Sequence, residues 1–257
     1  MRYGWTCLSF LVAVGCGGSQ SDVKSLEVAM GAAAAIGQSA VLANSAVNAT
    51  GTVTCAAASP ACTSFPCTTT VTVTLGSGCP VPLGGDGTGT VTVSGTWQSA
   101  DQATVTSEYT SARVGTRNLV VAQTRNYTVQ RSGDTVTATY TGQNVQVRGA
   151  VALAAQSNWT VVVNTAGTPD DPSDDTYTIN GTQQSAGGTS VAQLNVSSAV
   201  LSPSCRRNPT SGSATIQQVS ATRIRQETVQ FQSTCDGTAQ LTSTTGGRSS
   251  VTLDFLE

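Results

Sequence analysis

Threonine alternating with valine is the pattern that most limits what this chain can fold into. Thr70-Val71-Thr72-Val73-Thr74 and Thr90-Val91-Thr92-Val93 repeat with period two. On a pleated strand that period puts the valines on one face and the hydroxyls on the other. Threonine occurs 41 times in 257 residues, a composition suited to a half-buried sheet surface. After Ala49 the same period predicts strands at Gly51–Ala57, Thr68–Leu75, Gly89–Gln98, Ala103–Val114, Asn118–Arg131, Thr135–Arg148, Val151–Asn164, Thr176–Gln184, Val191–Leu201, Ser213–Val219, Arg225–Ser233, Ala239–Thr244 and Arg248–Phe255. Gly84-Gly85-Asp86-Gly87, Ser132-Gly133-Asp134, Gly187-Gly188, Asp236-Gly237 and Gly246-Gly247 stand between them as turns. Strands joined by short turns, with no helix between them, predict an antiparallel meander. So many strands exceed what a flat open sheet tolerates. The expected fold is therefore mainly β: a meander curling into a barrel, half-barrel or sandwich around one N-terminal helix.

That helix is expected over residues 22–49, ahead of a β domain at 50–257. Val23, Leu26, Met30, Ala33, Gly37 and Val41 follow three- and four-residue steps, the signature of a weakly amphipathic helix. Ser21 is the expected N-cap, with Asp22 and Glu27 at the positive end of the helix dipole. Gly31 and Gly37 each cost about 1 kcal/mol against alanine in a helix. Such a helix needs a sheet to pack on.

The start of the chain has a different character. Met1 and Arg2 precede an apolar run from Cys7 to Val14 and the small residues of Ala13-Val14-Gly15-Cys16. A charged start, a short apolar core and small residues at the cut predict an export signal over residues 1–15. The run is far shorter than the roughly 20 apolar residues that cross a bilayer. Small residues directly before a cysteine resemble the lipobox of bacterial lipoproteins. The resemblance implies cleavage before Cys16, palmitate-type acylation of that residue, and a lipidated tether at 16–21. Gly17, where an Asp is absent, resembles the lipoproteins sorted to the outer membrane. The implied partner is the membrane, held through lipid on Cys16.

Six cysteines then remain: Cys55, Cys62, Cys67, Cys79, Cys205 and Cys235. An even number in an exported chain predicts a disulfide framework. If residues 212–219 and 225–233 are successive antiparallel strands, Cys205 and Cys235 lie at the same end of the meander and pair. The first four are expected to pair among themselves, in any of three ways.

Chemistry-bearing motifs are scarce. The chain has no histidine, which removes the commonest general base, the Ser-His-Asp and Cys-His arrangements and imidazole zinc sites. No Gly-x-Ser-x-Gly or Gly-x-x-x-x-Gly-Lys motif occurs. A net charge of −2 with a single lysine, Lys24, argues against a nucleic-acid partner. The chain reads as non-catalytic, with no cofactor.

One parity anomaly points to a site. In the segment at 118–131 the larger apolar groups share a face with Arg125, Tyr127 and Arg131. Arg113 shares its face with Val105 and Tyr109, Arg148 with Tyr140, and Arg225 with Val229 and Phe231. An unpaired charge is seldom buried. Arg113, Arg125, Tyr127, Tyr140, Arg148 and Arg225 are thus the candidate lining of a cavity for an apolar or amphipathic ligand with an anionic head. The alternative is strand-end arginines that pair locally, as Arg225 with Glu227. Asp170, Asp171, Asp174 and Asp175 form an acidic hairpin tip with a weak option for Ca²⁺. Glu108 and Glu227 are the only central glutamates, too few for a confident glycosidase pair. Two readings follow: an envelope lipoprotein binding an apolar or amphipathic ligand, or a structural or adhesion module of the outer-membrane surface, its protein partner unidentified. A transmembrane barrel is the third architecture weighed.

Overall fold

The computed structural model describes residues 20–48, 56–58, 62–75, 87–114, 123–148, 151–168, 174–187, 190–205, 208–220, 224–244 and 246–253. One helix, α1 (Gln20–Asn48), precedes thirteen strands. They are β1 (Ala56–Ala58), β2 (Cys67–Leu75), β3 (Gly87–Ser99), β4 (Gln102–Val114), β5 (Gln123–Ser132), β6 (Thr135–Arg148) and β7 (Val151–Asn164), followed by β8 (Thr176–Gly187), β9 (Ser190–Leu201), β10 (Ser211–Ser220), β11 (Ile224–Phe231), β12 (Thr238–Ser243) and β13 (Arg248–Thr252). Each strand pairs antiparallel with its neighbours in chain order, giving one 13-stranded sheet. The sheet is open: among the described residues β1 pairs only with β2 and β13 only with β12. It curls, because α1 touches strands near both edges, β2 and β13, as well as β6, β7 and β8 in the middle. Of the three expected forms this is the half-barrel wrapped around the helix.

Period-two alternation decides the two faces. Val71, Val93, Val105, Val129, Val161, Ile179, Val196 and Val229 point inward and are buried. The threonines between them point out. Register aligns those threonines into rows: Thr68, Thr96, Thr104, Thr128, Thr139 and Thr160 are successive cross-strand partners from β2 to β7. An apolar inside and polar outside is the reverse of a lipid-facing barrel.

The helix departs from expectation in two ways. It starts at Gln20, so Ser21 lies inside it rather than at the N-cap. It is also not a half-exposed amphipathic rod. Every residue from Ser39 to Val47 is buried, because the sheet covers the helix on several sides and an all-round apolar surface is what such a site requires. At Gly37 a Cβ would lie 2.6 Å from Val161 Cγ1, 3.0 Å from Val163 Cγ2 and 3.1 Å from Tyr177 Cδ1. A residue unfavourable for helix propensity is thus what lets α1 approach β7 and β8.

The disulfides follow the meander. Cys205 pairs with Cys235, their Cα atoms 5.3 Å apart, joining the β9–β10 and β11–β12 connections at one end of the sheet. Buried Asn208 ties the same two connections: its Nδ2 donates to the carbonyls of Pro209 (2.9 Å) and Gln232 (2.8 Å), and its Oδ1 accepts from the Gly237 amide (3.0 Å). Cys62 pairs with Cys67. Cys55 and Cys79 lie outside the described residues, as do Cys16 and residues 1–15, where the export signal is expected.

Candidate functional site

Beneath α1, strands β4, β5 and β6 bring three of the six candidate residues together. Arg125, Tyr127 and Tyr140 are all buried on the inner face. In register, Ser107 lies opposite Arg125 and Val105 opposite Tyr127. The Arg125 guanidinium carbon sits 5.6 Å from the ring centroid of Tyr109, a cation–π distance. Tyr109 reaches the helix, its hydroxyl 2.9 Å from the Ala35 carbonyl and 2.8 Å from Ser39 Oγ. Tyr140 donates to the carbonyl of Gln143 at 2.8 Å.

Electrostatics keep these phenols neutral. Burial pushes the pKa of Tyr109 up, opposed by Arg125 and the Ser39 hydrogen bond. Burial also raises Tyr127, with Tyr109 adding to the shift and the hydroxyls of Ser39 and Ser107 opposing it. Tyr140 is raised by burial against the pull of Arg125. The Arg125 guanidinium is itself lowered by burial and sustained by the three tyrosines. The cluster holds a cation among neutral hydroxyls. Its direct tie from Tyr109 to Ala35 and Ser39 fastens the sheet to the helix.

The other candidates are elsewhere. Arg225 stands on β11 and forms an ion pair with buried Glu227, the local pairing the alternative reading describes. Arg113 and Arg148 lie in β4 and β6, their side chains outside the described residues. Asp174 is exposed and accepts from Thr168 Oγ1 at 2.6 Å, whereas Asp175 is buried, 3.5 Å from the Tyr177 hydroxyl; the two do not share a surface. Asp170 and Asp171 fall outside the described residues. Among the described residues no group of three or more His, Cys, Asp or Glu is placed to hold a metal. Glu108 is on the exposed outer face and Glu227 on the buried inner one, so the two cannot flank one glycosidic bond.

Tyr109 and Ser39 were missing from the candidate set, although Tyr109 shares the parity of Arg113. A second feature escaped altogether. On the outer face Gln143, Gln156, Gln184, Gln193, Gln217 and Gln226 are successive cross-strand partners from β6 to β11. Beside them runs a row of Thr141, Asn158, Thr182, Asn195, Thr215 and Thr228. A groove of about 530 Å³ lies where the two rows cross β8 to β11. Hairpin symmetry was the available signal, since Gln143 and Gln156, Gln184 and Gln193, and Gln217 and Gln226 each mirror one another about their connection.

Comparison with protein-family models, curated proteins and solved structures finds no match to this chain. Near its N-terminus the chain carries an apolar helix, Val23–Val47, long and apolar enough by length and composition to cross a membrane, and for that reason compatible with a signal sequence and export. Most of that stretch is buried against the sheet. The two disulfides accord with an oxidising compartment.

Proposed function

We propose that the protein is an exported, non-catalytic module of the cell envelope, held to the outer membrane by lipid on Cys16, that works through contacts made by its outer surface. The observation carrying this reading is the position of α1. The concave face of the half-barrel, where a carrier would hold its cargo, is filled by the chain's own helix, buried without interruption from Ser39 to Val47. Function then falls to the convex face, which presents ordered rows of hydroxyls and amides. A tether shortened to 16–19 by the start of α1 at Gln20 would hold that face close to the membrane surface.

A second reading rests on Arg125. A buried guanidinium ringed by Tyr109, Tyr127 and Tyr140 is also the chemistry that would hold the anionic head of an amphiphile, with α1 displaced to admit it. Native mass spectrometry of the chain from Gly17 onward, exported to an oxidising compartment, separates the two. A bare mass supports the surface module. A reproducible excess of lipid size, lost on denaturation and on Arg125→Ala, would establish the carrier in its place.

A further inference from the structure

The outer face of β6 to β11 is uncharged. Its described strand positions are Thr, Asn, Gln, Ser and Val, with Ile224 at the start of β11 and not one Asp, Glu, Lys or Arg. Soluble surfaces ordinarily carry about a quarter to a third charged residues. This face spans six strands and forgoes them. What it presents is a grid. Each amide of the Gln143–Gln226 row offers one acceptor and two donors, repeated at a strand spacing of about 4.8 Å. The neighbouring row adds Thr hydroxyls and the amides of Asn158 and Asn195.

From this surface we infer a binding site for a neutral polysaccharide, seated in the groove between Gln184, Gln193, Gln217, Gln226, Asn195 and Thr215. The inference rests on the surface-module reading above and names its partner. Three properties select the occupant. The groove's polar groups match hydroxyl and acetamido groups, which donate and accept in the same way. The lack of charge neither attracts nor repels an uncharged chain but gives nothing to nucleic acid or an anionic membrane. The rows cross six strands in succession, so an extended polymer can touch several of their residues at once. The described residues of this face include no aromatic platform, so each sugar contact is weak, and repetition along the rows supplies the avidity.

Co-sedimentation of the lipid-free chain with insoluble chitin and cellulose tests the site, with sedimentation velocity run alongside. The wild type should pellet with at least one of these glycans, insensitively to salt. Replacing Gln193 and Gln217 together by Ala should weaken pelleting about tenfold, two hydrogen-bonding groups having been lost, while Thr72→Ala on the distant outer face of β2 leaves it unchanged. Asn195→Glu, a single exposed change in the same groove, gives a second variant with the same expected loss. Equal pelleting of wild type and variants, or none with either glycan, would overturn the assignment. So would a self-association of the wild type that the same variants abolish, which would identify a second copy of the chain as the occupant. If glycan binding fails while native mass spectrometry finds a bare chain, only the partner is wrong. An excess mass of lipid size removes the underlying reading as well.

Discussion

Gly31 and Gly37 share one helix and one intrinsic penalty, so replacing each by alanine isolates what the sheet does to α1. Either change gains about 0.8–1 kcal/mol of helix propensity. At Gly31 a Cβ meets nothing within 4 Å, and the gain should appear as measured. At Gly37 the new methyl would sit 2.6 Å from Val161 Cγ1, with Val163 and Tyr177 closing the other side. Val161, Val163 and Tyr177 are fully buried and have little room to move. Overpacking of this kind costs about 1–3 kcal/mol. Propensity cancels between the two variants, so Gly31→Ala should exceed Gly37→Ala in stability by about 1–3 kcal/mol, read from urea denaturation with unchanged slope. Val161→Ala removes the atom in the way, so in the Gly37→Ala background it should cost less than in the wild type, a coupling visible in a double-mutant cycle. Equal stabilisation by both glycine replacements, with no coupling to Val161, would refute the docking of α1 on β7 and β8.

Other consequences follow from the same contacts. Asn208→Ala leaves the Gly237 amide and the carbonyls of Pro209 and Gln232 without their partner and should cost about 2–4 kcal/mol in thermal unfolding; a loss under about 0.5 kcal/mol would contradict the bridging role. Cys205→Ala with Cys235→Ala opens a loop of sequence separation 30 and should lower stability by about 3–4 kcal/mol, with reductant then having little added effect at that end of the sheet. Tyr109→Phe removes the hydroxyl shared with Ala35 and Ser39 and should cost about 1 kcal/mol in chemical denaturation; a neutral result would mean the Ser39 hydroxyl suffices. The pH dependence is fixed in sign. Tyr109, Tyr127 and Tyr177 are raised above their ordinary value of 10.0, so above that value the unfolded chain loses phenolic protons that the folded chain keeps. Their contribution is complete below about pH 10 and is lost as pH rises further, by up to about 1.4 kcal/mol per group per pH unit. Phenolate absorbance of these residues should appear only with unfolding.

Much of the fold was legible because period-two alternation is a local signal. Thr70 to Thr74 and Thr90 to Val93 declare their faces without reference to the rest of the chain, and each expected strand has its counterpart in β1 to β13. The Cys205–Cys235 pair followed from the succession of those strands, which puts both cysteines at one end of the meander. What failed is what depends on three-dimensional neighbours. The stepped pattern from Val23 to Val41 correctly found residues that face the sheet, but it could not show that the sheet would also cover Ala40, Leu42, Ala43 and Ala46. Gly37 read as a weakness because the facing valines of β7 are more than a hundred residues away. Within the candidate site, parity placed Arg125, Tyr127 and Tyr140 correctly on the inner face. It could not distinguish them from Arg225, whose carboxylate partner stands on its own strand. The glutamine row needed the register of five successive hairpins at once, and only two-residue symmetry within each hairpin is visible in sequence.

The account turns on α1 being fixed core and not a lid over a binding cavity, and native-state hydrogen exchange on its backbone amides tests that most directly. Amides from Ser39 to Val47 should exchange only through global unfolding, with the opening free energy measured by denaturation. Exchange of that stretch through a much cheaper local opening, with β4 to β8 still protected, would show a helix that leaves the concave face and would return the interior to a ligand.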